Sequence, residues 1–254
     1  MNRDVDVLII GVTPAGLLAG EVLQRKGYST AVVMSEGVSA NLSTVYTVNH
    51  DFLQMFDAVF KISQNVPIHI VDKIKTDKCI IRPIYDLYQI GRAELIAYFT
   101  DRYVNRGGNV ILDSLTDLDL KVKAARSHKR YLFTYRKVLD CSCDYDGSNK
   151  YLVVGNVNTL SVIKESRKAI PKIHHASIDN IVYRCGVAGG FMNPLIGDSL
   201  IYDMCTAGAA VYSIIENKSY ERQTRWIRSE MAVKKLLTKA CKPIALKFME
   251  GSLC

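Results

Sequence analysis

The first 34 residues constrain the fold more than any other part of the chain. Val5 to Ile10 (VDVLII) is β-branched and almost continuously apolar, as a strand covered on both faces requires. A tight turn follows at Gly11. From Pro14, AGLLAGEVLQRKG places apolar residues at helical spacing, with Pro in the first turn and Gly27 as a stop, which predicts a helix over about 14–26. TAVVM then reads as a second short strand. Strand, glycine turn, helix and strand in succession make a βαβ unit, which requires parallel pairing and a right-handed crossover.

The rest of the chain extends that pattern. Leu42 to Tyr88 holds short apolar runs, VPIHIVDKI and KCIIRPIYDLYQI, whose β-branched and aromatic content predicts antiparallel strands. Gly91 to Arg106 predicts an amphipathic helix stopped by Gly107-Gly108, leading into the strand NVIL. Residues 117–139 predict a meander with strands near LDLKVKAA and YLFTYRKVLD joined at RSHK; YLVVG and TLSVI predict a strand pair. NIVYRCG returns to parallel-sheet character, then a Gly/Asn/Pro loop leads into a helix over 199–216. The last 35 residues predict basic helices interrupted at Pro243.

Composition sets the class. A chain of 254 residues, 48% apolar and 23% charged, is that of an ordinary globular protein with one large domain or two interleaved ones. No run of 18 apolar residues occurs, which argues against a spanning helix. Asp4 and Asp6 sit where a signal peptide carries positive charge. Seven Cys without a framework suit a reducing compartment, so a cytoplasmic location is expected.

The net charge of +8 is unevenly spread. Residues 217–254 hold nine basic and three acidic side chains, and 120–137 holds seven basic residues and no acid. Solvated faces are the expected default for both blocks, and attraction for anionic lipid or nucleic acid is the functional alternative. Tyr131, Phe133 and Tyr135 interleave with the bases of the first block, as in single-strand binders, but a half-buried hairpin alternates in the same way, so nucleic acid is the least favoured partner. In the second block Trp226, Ile227 and Met231 alternate with Arg225 and Arg228, a pattern suited to an anionic membrane surface or to docking on the core or on another subunit.

Two segments carry chemistry. Gly11-Val12-Thr13-Pro14-Ala15-Gly16 lies between the first strand and its helix, where a dinucleotide fingerprint places glycines for the turn, for pyrophosphate approach and for helix–strand packing. Gly11 and Gly16 supply the first and third; Thr13 stands in place of the second. An acid at the end of the second strand binds the ribose in such units; counting on from Gly11 reaches Met34, with Glu36 two residues later as the substitute acceptor. The second segment is GVAGGFMNPLIGDSLIYDMCTAGAA, from Gly186 to Ala210.

This second segment resembles the flavin motif of the geranylgeranyl reductase family, GDAAGFVNPLTGEGI followed by a helix. Gly186, Ala188, Gly190, Phe191, Asn193, Pro194, Leu195 and Gly197 match without gaps. The opening resembles the family's GxGPAG turn, Val138 to Cys143 its VVDATG strand, and Ile90-Gly91-Arg92 the segment beside FAD. The resemblance implies an α/β fold of the p-hydroxybenzoate hydroxylase type: a Rossmann-like FAD/NAD(P)-binding parallel sheet with an inserted small antiparallel β-sheet. The FAD domain would comprise 1–41, 89–143 and 179–216, the inserted substrate-type region 42–88 and 144–178, and the basic C-terminal helices 217–254. It implies FAD as cofactor, held by Gly11, Thr13, Pro14, Ala15, Gly16, Glu36, Arg92, Gly186, Val187, Asn193, Pro194, Gly197 and Asp198. It also implies a small-molecule or isoprenoid lipid substrate and peripheral membrane or protein contact through 217–254.

The departures are informative. The family's ribityl-binding Asp is Val187 here, the second Gly is Thr13 and the ribose acid is Met34. Each lost charge-assisted hydrogen bond is worth about 1.5–3 kcal/mol, so two weaken FAD by roughly 3–6 kcal/mol. Two functions are therefore expected: an FAD-dependent oxidoreductase passing hydride from reduced flavin to an isoprenoid-type double bond, or a degenerate, non-catalytic binding or scaffold subunit. No side chain stands out as a proton donor. No metal is expected: Cys141, Cys143 and Cys185 lack paired C-x-x-C spacing, His174-His175 lacks a carboxylate partner at helical spacing, and Asp140, Asp144 and Asp146 accompany a glycine turn. If the fold is as expected, Cys141, Cys143 and Cys185 lie at the ends of neighbouring strands as buried thiols.

Overall fold

A computed structural model describes residues 2–34, 45–75, 80–83, 86–142, 151–156, 159–164, 177–191 and 200–233. In chain order the elements are β1 (Asn2–Ile10), α1 (Pro14–Arg25), β2 (Thr30–Val33), β3 (Val45–Asn49), α2 (His50–Phe60), β4 (Ile68–Ile70), β5 (Lys73–Lys75), β6 (Ile80–Ile81), β7 (Leu87–Gly91) and α3 (Arg92–Val104). They continue as β8 (Asn109–Ile111), β9 (Leu115–Asp119), β10 (Ala124–Ser127), β11 (Leu132–Asp140), β12 (Tyr151–Asn156), β13 (Thr159–Lys164), β14 (Ser177–Ile178), β15 (Val182–Arg184), α4 (Leu200–Glu216) and α5 (Tyr220–Gln223).

The main sheet runs β14-β15-β11-β1-β2-β8, with β10 and β9 added beside β11. β15, β11, β1, β2 and β8 are mutually parallel. From β1 the chain moves outward through β2 to β8, then returns to β11 on the other side of β1. The strand order therefore reverses between β1 and β11, the place where open α/β sheets bind ligands. The two faces of β1 feed two buried layers: Val7 and Ile9 join a cluster containing Leu17, Leu23, Leu95 and Phe99, whereas Leu8 joins Val33, Phe133 and Val138. Both layers are needed because each fully buried side chain of this size contributes about 1.5–3 kcal/mol.

Two smaller sheets complete the fold: the antiparallel β3-β7-β4 and the mixed β12-β13-β5-β6, in which β5 and β13 run parallel. The whole is mixed α/β, a parallel-rich sheet with a small antiparallel one, as expected from the sequence.

Two details differ from the sequence reading. The two runs read as antiparallel strands in 42–88 form β4 to β7, but a helix not expected from the sequence, α2, precedes them. The Asn49 side chain accepts the Phe52 amide at 3.0 Å, capping a helix on which Phe52, Phe56 and Phe60 recur every four residues and pack ring to ring. Those aromatics serve a helix rather than a strand. The expected strand LDLKVKAA is split into β9 and β10, because Asp119 Oδ1 accepts both the Lys121 and Val122 amides and Lys123 adopts a left-handed φ of 53°. Beyond α5 a helical stretch covers 225–233, where Ile227 and Met231 are buried and Trp226 is 58% exposed. The predicted helical residues beyond 233 lie outside the described residues.

One buried charge joins α1 to α3. Glu21, 1% exposed, receives Arg102 through Nε and Nη2 at 3.0 Å each and Arg106 through Nε at 2.8 Å, and it also pairs with Arg25 one helical turn on. Burial alone would raise the Glu21 carboxyl, but hydrogen bonding from Arg102 and then Arg25 outweighs it and holds the group below the usual glutamate range.

Candidate functional site

The switch point places three chain turns side by side. Gly11 ends β1 with φ +106°, and its amide is held by the Val33 carbonyl at 2.8 Å. A Cβ there would lie 2.7 Å from the Cys141 carbonyl oxygen and 2.9 Å from the Ser142 amide, so the ends of β1 and β11 touch backbone to backbone. Only glycine satisfies both the φ and the approach. A Cβ on Gly16 would lie 2.7 Å from the Gly11 carbonyl oxygen, so Gly16 lets α1 pack on its own turn.

Thr13 is the N-cap of α1. Its backbone is extended and its hydroxyl accepts the Gly16 amide at 3.1 Å. Pro14, the first helical residue, has no N–H to offer. All residues from Gly11 to Leu17 are buried, Thr13 at 2% exposure.

The second turn leaves β15 next to β11. In register, Arg184 pairs with Asp140, and the Cys185 amide reaches the Asp140 carbonyl at 2.8 Å. Gly186 has φ +52° and opens a single 3₁₀ turn to Gly189. A Cβ on Gly186 would overlap the carboxylate oxygen Oδ1 of Asp203, a buried residue of α4. That oxygen accepts the Val187 amide at 3.2 Å, while Thr206 Oγ1 accepts the Gly186 amide at 2.7 Å. Gly190 and Phe191 close the turn through Val187 and Gly186 carbonyls at 2.9 and 2.7 Å.

Between the turns lie two thiols. Cys141 and Cys185 are 4% and 1% exposed and unpaired as disulfides, at the ends of neighbouring strands as expected. A hydrogen bond with Cys185, together with burial, pushes the Cys141 thiol well up. Tyr220 caps this group: its hydroxyl donates to the Arg184 carbonyl at 2.8 Å and lies 3.6 Å from Cys185 Sγ. On the other face of β11, burial raises the Asp140 carboxyl, although Ser142 donates to it through amide and hydroxyl.

Of the residues singled out in the sequence, the structure gathers Gly11, Thr13, Pro14, Ala15, Gly16, Gly186 and Val187 around the ends of β1, β11 and β15. Arg92 sits at the start of α3 with its guanidinium 5.6 Å from the centre of the Tyr46 ring, and Tyr46 belongs to the same buried cluster as Val12, Ala15, Cys141 and Phe191. Met34 follows β2 directly, with its amide on the Ile111 carbonyl at 2.9 Å. Glu36, Asn193, Pro194, Gly197 and Asp198 lie outside the described residues, as do Cys143, Asp144, Asp146, His174 and His175. Asp203 and Thr206 were not singled out; the signal was an acid and a hydroxyl three residues apart in the apolar run LIYDMCTAGAA. Among the described residues no group of His, Cys, Asp and Glu could hold a metal, and no helix is long and apolar enough to cross a membrane.

No protein-family model matches the chain, and no curated protein matches it in sequence. Solved structures do match in fold. A geranylgeranyl bacteriochlorophyll reductase-like protein from Thermoplasma acidophilum superposes with a TM-score of 0.60 at 11% identity, over 94% of this chain and 84% of that one. A flavoprotein/dehydrogenase from Cytophaga hutchinsonii gives 0.58 at 12%, over 91% and 85%. The flavin-dependent brominase Bmp2 gives 0.58 at 11%, over 89% and 83%. At these identities the likeness is one of fold: the chain shares the mixed α/β architecture of these three proteins over 89–94% of its length.

Proposed function

We propose that this chain keeps the flavoenzyme architecture as a framework whose nucleotide crevice is closed by its own side chains, and that it acts by binding rather than by flavin redox chemistry. One observation carries this reading: three amides of the two glycine turns bond to side-chain oxygens of the chain itself. Thr13 Oγ1 takes Gly16, Asp203 Oδ1 takes Val187 and Thr206 Oγ1 takes Gly186. A pyrophosphate is held at a helix N-terminus by amides left over from the helix. Here the Gly16 amide is engaged by Thr13, whereas Pro14, which has none to offer, is shared with the GxGPAG turn and does not separate the two readings. Nor do the residues present fit the two sugar portions of FAD: Met34 offers the adenosine ribose only a weak thioether acceptor, and the Val187 side chain offers the ribityl chain none. No chemical step through flavin is derived for this chain.

The second reading, a weak-binding FAD-dependent oxidoreductase acting on a small molecule or isoprenoid lipid, is favoured by the run of motif matches from Gly186 to Gly197 and by the flavoproteins that share the fold. Its cofactor contacts would come from Gly11, Ala15, Arg92 and the segment around Asn193 to Asp198. Contact of 217–254 with a membrane or a protein belongs to either reading. Trp226 and Val233, exposed beside the buried Ile227 and Met231, are the side chains available for it.

Adding FAD to the purified chain separates the two. A titration monitored at about 450 nm, where bound flavin absorbs, is expected to show no saturable uptake at micromolar FAD, and the Thr13→Gly, Val187→Asp double variant is expected to gain it. Saturation of the unaltered chain at micromolar FAD would establish the oxidoreductase instead.

A further inference from the structure

We propose that the cleft formed by Thr116, Arg126, Ser127, His128, Arg130 and Leu132 is a binding site for a phosphate monoester or pyrophosphate group. The cleft has a volume of about 430 Å³ and lies at the turn joining β10 to β11. It is remote from the glycine turns. Leu132 pairs with Asn2 and Asp140 pairs with Ile10 in one ladder, so the eight-residue rise of β11 puts the cleft roughly 26 Å away, at the opposite end of the sheet.

The turn is built to hold side chains still. The Ser127 amide donates to the Tyr131 carbonyl at 3.0 Å, the Tyr131 amide donates back to Ser127 Oγ at 3.1 Å, and the buried Asp113 carboxylate accepts the Lys129 amide at 2.8 Å. A register shift between Arg126 and Ser127 in the β9–β10 ladder re-aims the strand at this point, and Arg130 has a left-handed φ of 67°. These contacts use Ser127 and Asp113 internally. The Arg126 and Arg130 side chains are the groups that face a ligand, with Leu132 as an apolar wall.

Charge favours an anion of more than one negative charge. Among the described residues neither the Arg126 nor the Arg130 guanidinium has an ion-pair partner. Asp117, opposite Arg126 in the ladder, is the acid nearest to them in register, and Asp119 is engaged by the Lys121 and Val122 amides. Two guanidiniums suit the several oxygens of a terminal phosphate, which can accept two parallel N–H bonds from each. A nucleic acid would need a track of such sites along its backbone; the cleft is a single concave one.

Calorimetric titration of the full chain with inorganic pyrophosphate at about 0.15 M salt tests this, together with co-sedimentation on phosphatidylcholine vesicles with and without phosphatidic acid. Arg126→Gln with Arg130→Gln is expected to weaken binding at least about tenfold, and Asp117→Asn to tighten it severalfold, with melting temperature unchanged because all three side chains are at the surface. Binding of pyrophosphate lost in the double variant supports a soluble phosphate ligand; binding of phosphatidic-acid vesicles alone, lost in the same variant, supports a lipid headgroup. Absence of binding to both, equal affinity in the double variant, or binding of a single-stranded oligonucleotide but not of pyrophosphate would overturn the proposal.

Discussion

The Thr13 hydroxyl lies 3.1 Å from the Gly16 amide and caps the helix whose N-terminus, in a nucleotide-binding fold of this kind, faces a phosphate. A residue that replaces a motif glycine has become part of the packing. The cap is a stability device, so Thr13→Ala is expected to lower the unfolding free energy by about 1 kcal/mol, measured by urea denaturation. Thr13→Gly, which keeps a cap-compatible backbone, is expected to cost only a few tenths.

Gly186 and Asp203 form a second such pair. Gly186→Ala is expected to destabilise by about 2 kcal/mol or more, since a left-handed φ and the Asp203 carboxylate both oppose the methyl group. In an Asp203→Ala background the same change is expected to cost less, because the carboxylate overlap is gone and only the φ penalty and a 3.0 Å approach to the Cα of residue 203 remain. A double-mutant cycle that returns strictly additive energies would show that Asp203 does not occupy that position.

How much of this was legible in the sequence depends on the range of each interaction. The βαβ opening was readable because its signals are local: β-branched apolar residues in β1, Pro14 at the helix start, Gly27 after its end. The strand-to-loop step at Cys185 and Gly186 was readable for the same reason. The helix α2 was not singled out, because its signals, the Asn49 cap and the four-residue spacing of Phe52, Phe56 and Phe60, lie in a short segment between stronger strand runs. The engagement of Gly186 and Val187 by Thr206 and Asp203 was out of reach, since nothing local ties a turn to a helix sixteen to twenty residues on.

Glu21 makes stability depend on pH. Its carboxyl is held below the ordinary glutamate range, so the stability it adds is present above about pH 4.3, the unfolded value, and is lost as pH falls through the folded one. Glu21→Gln leaves Arg102 facing two further arginines and is expected to cost about 2–3 kcal/mol at pH 7, less than a fully buried pair because Arg25 and Arg106 are each 47% exposed. The difference between the two proteins should shrink below about pH 4; a difference that stays constant to pH 3 would contradict this.

The thiols between the turns are expected to be inert. Cys141, its thiol pushed up by the hydrogen bond with Cys185 and by burial, and Cys185, 1% exposed, should resist alkylation at about pH 8 in the folded chain and react on unfolding. Mass spectrometry after a timed pulse of iodoacetamide reads this directly, and prompt labelling of either residue in the native protein would contradict the packing described.

The most direct test of the closed crevice is FAD titration of the chain alongside Thr13→Gly with Val187→Asp. The account predicts no saturable flavin band from the unaltered chain at micromolar FAD, and uptake at least about tenfold tighter in the variant. Equal, micromolar binding by both would contradict it, and would return the chain to the flavin-dependent oxidoreductases whose fold it shares.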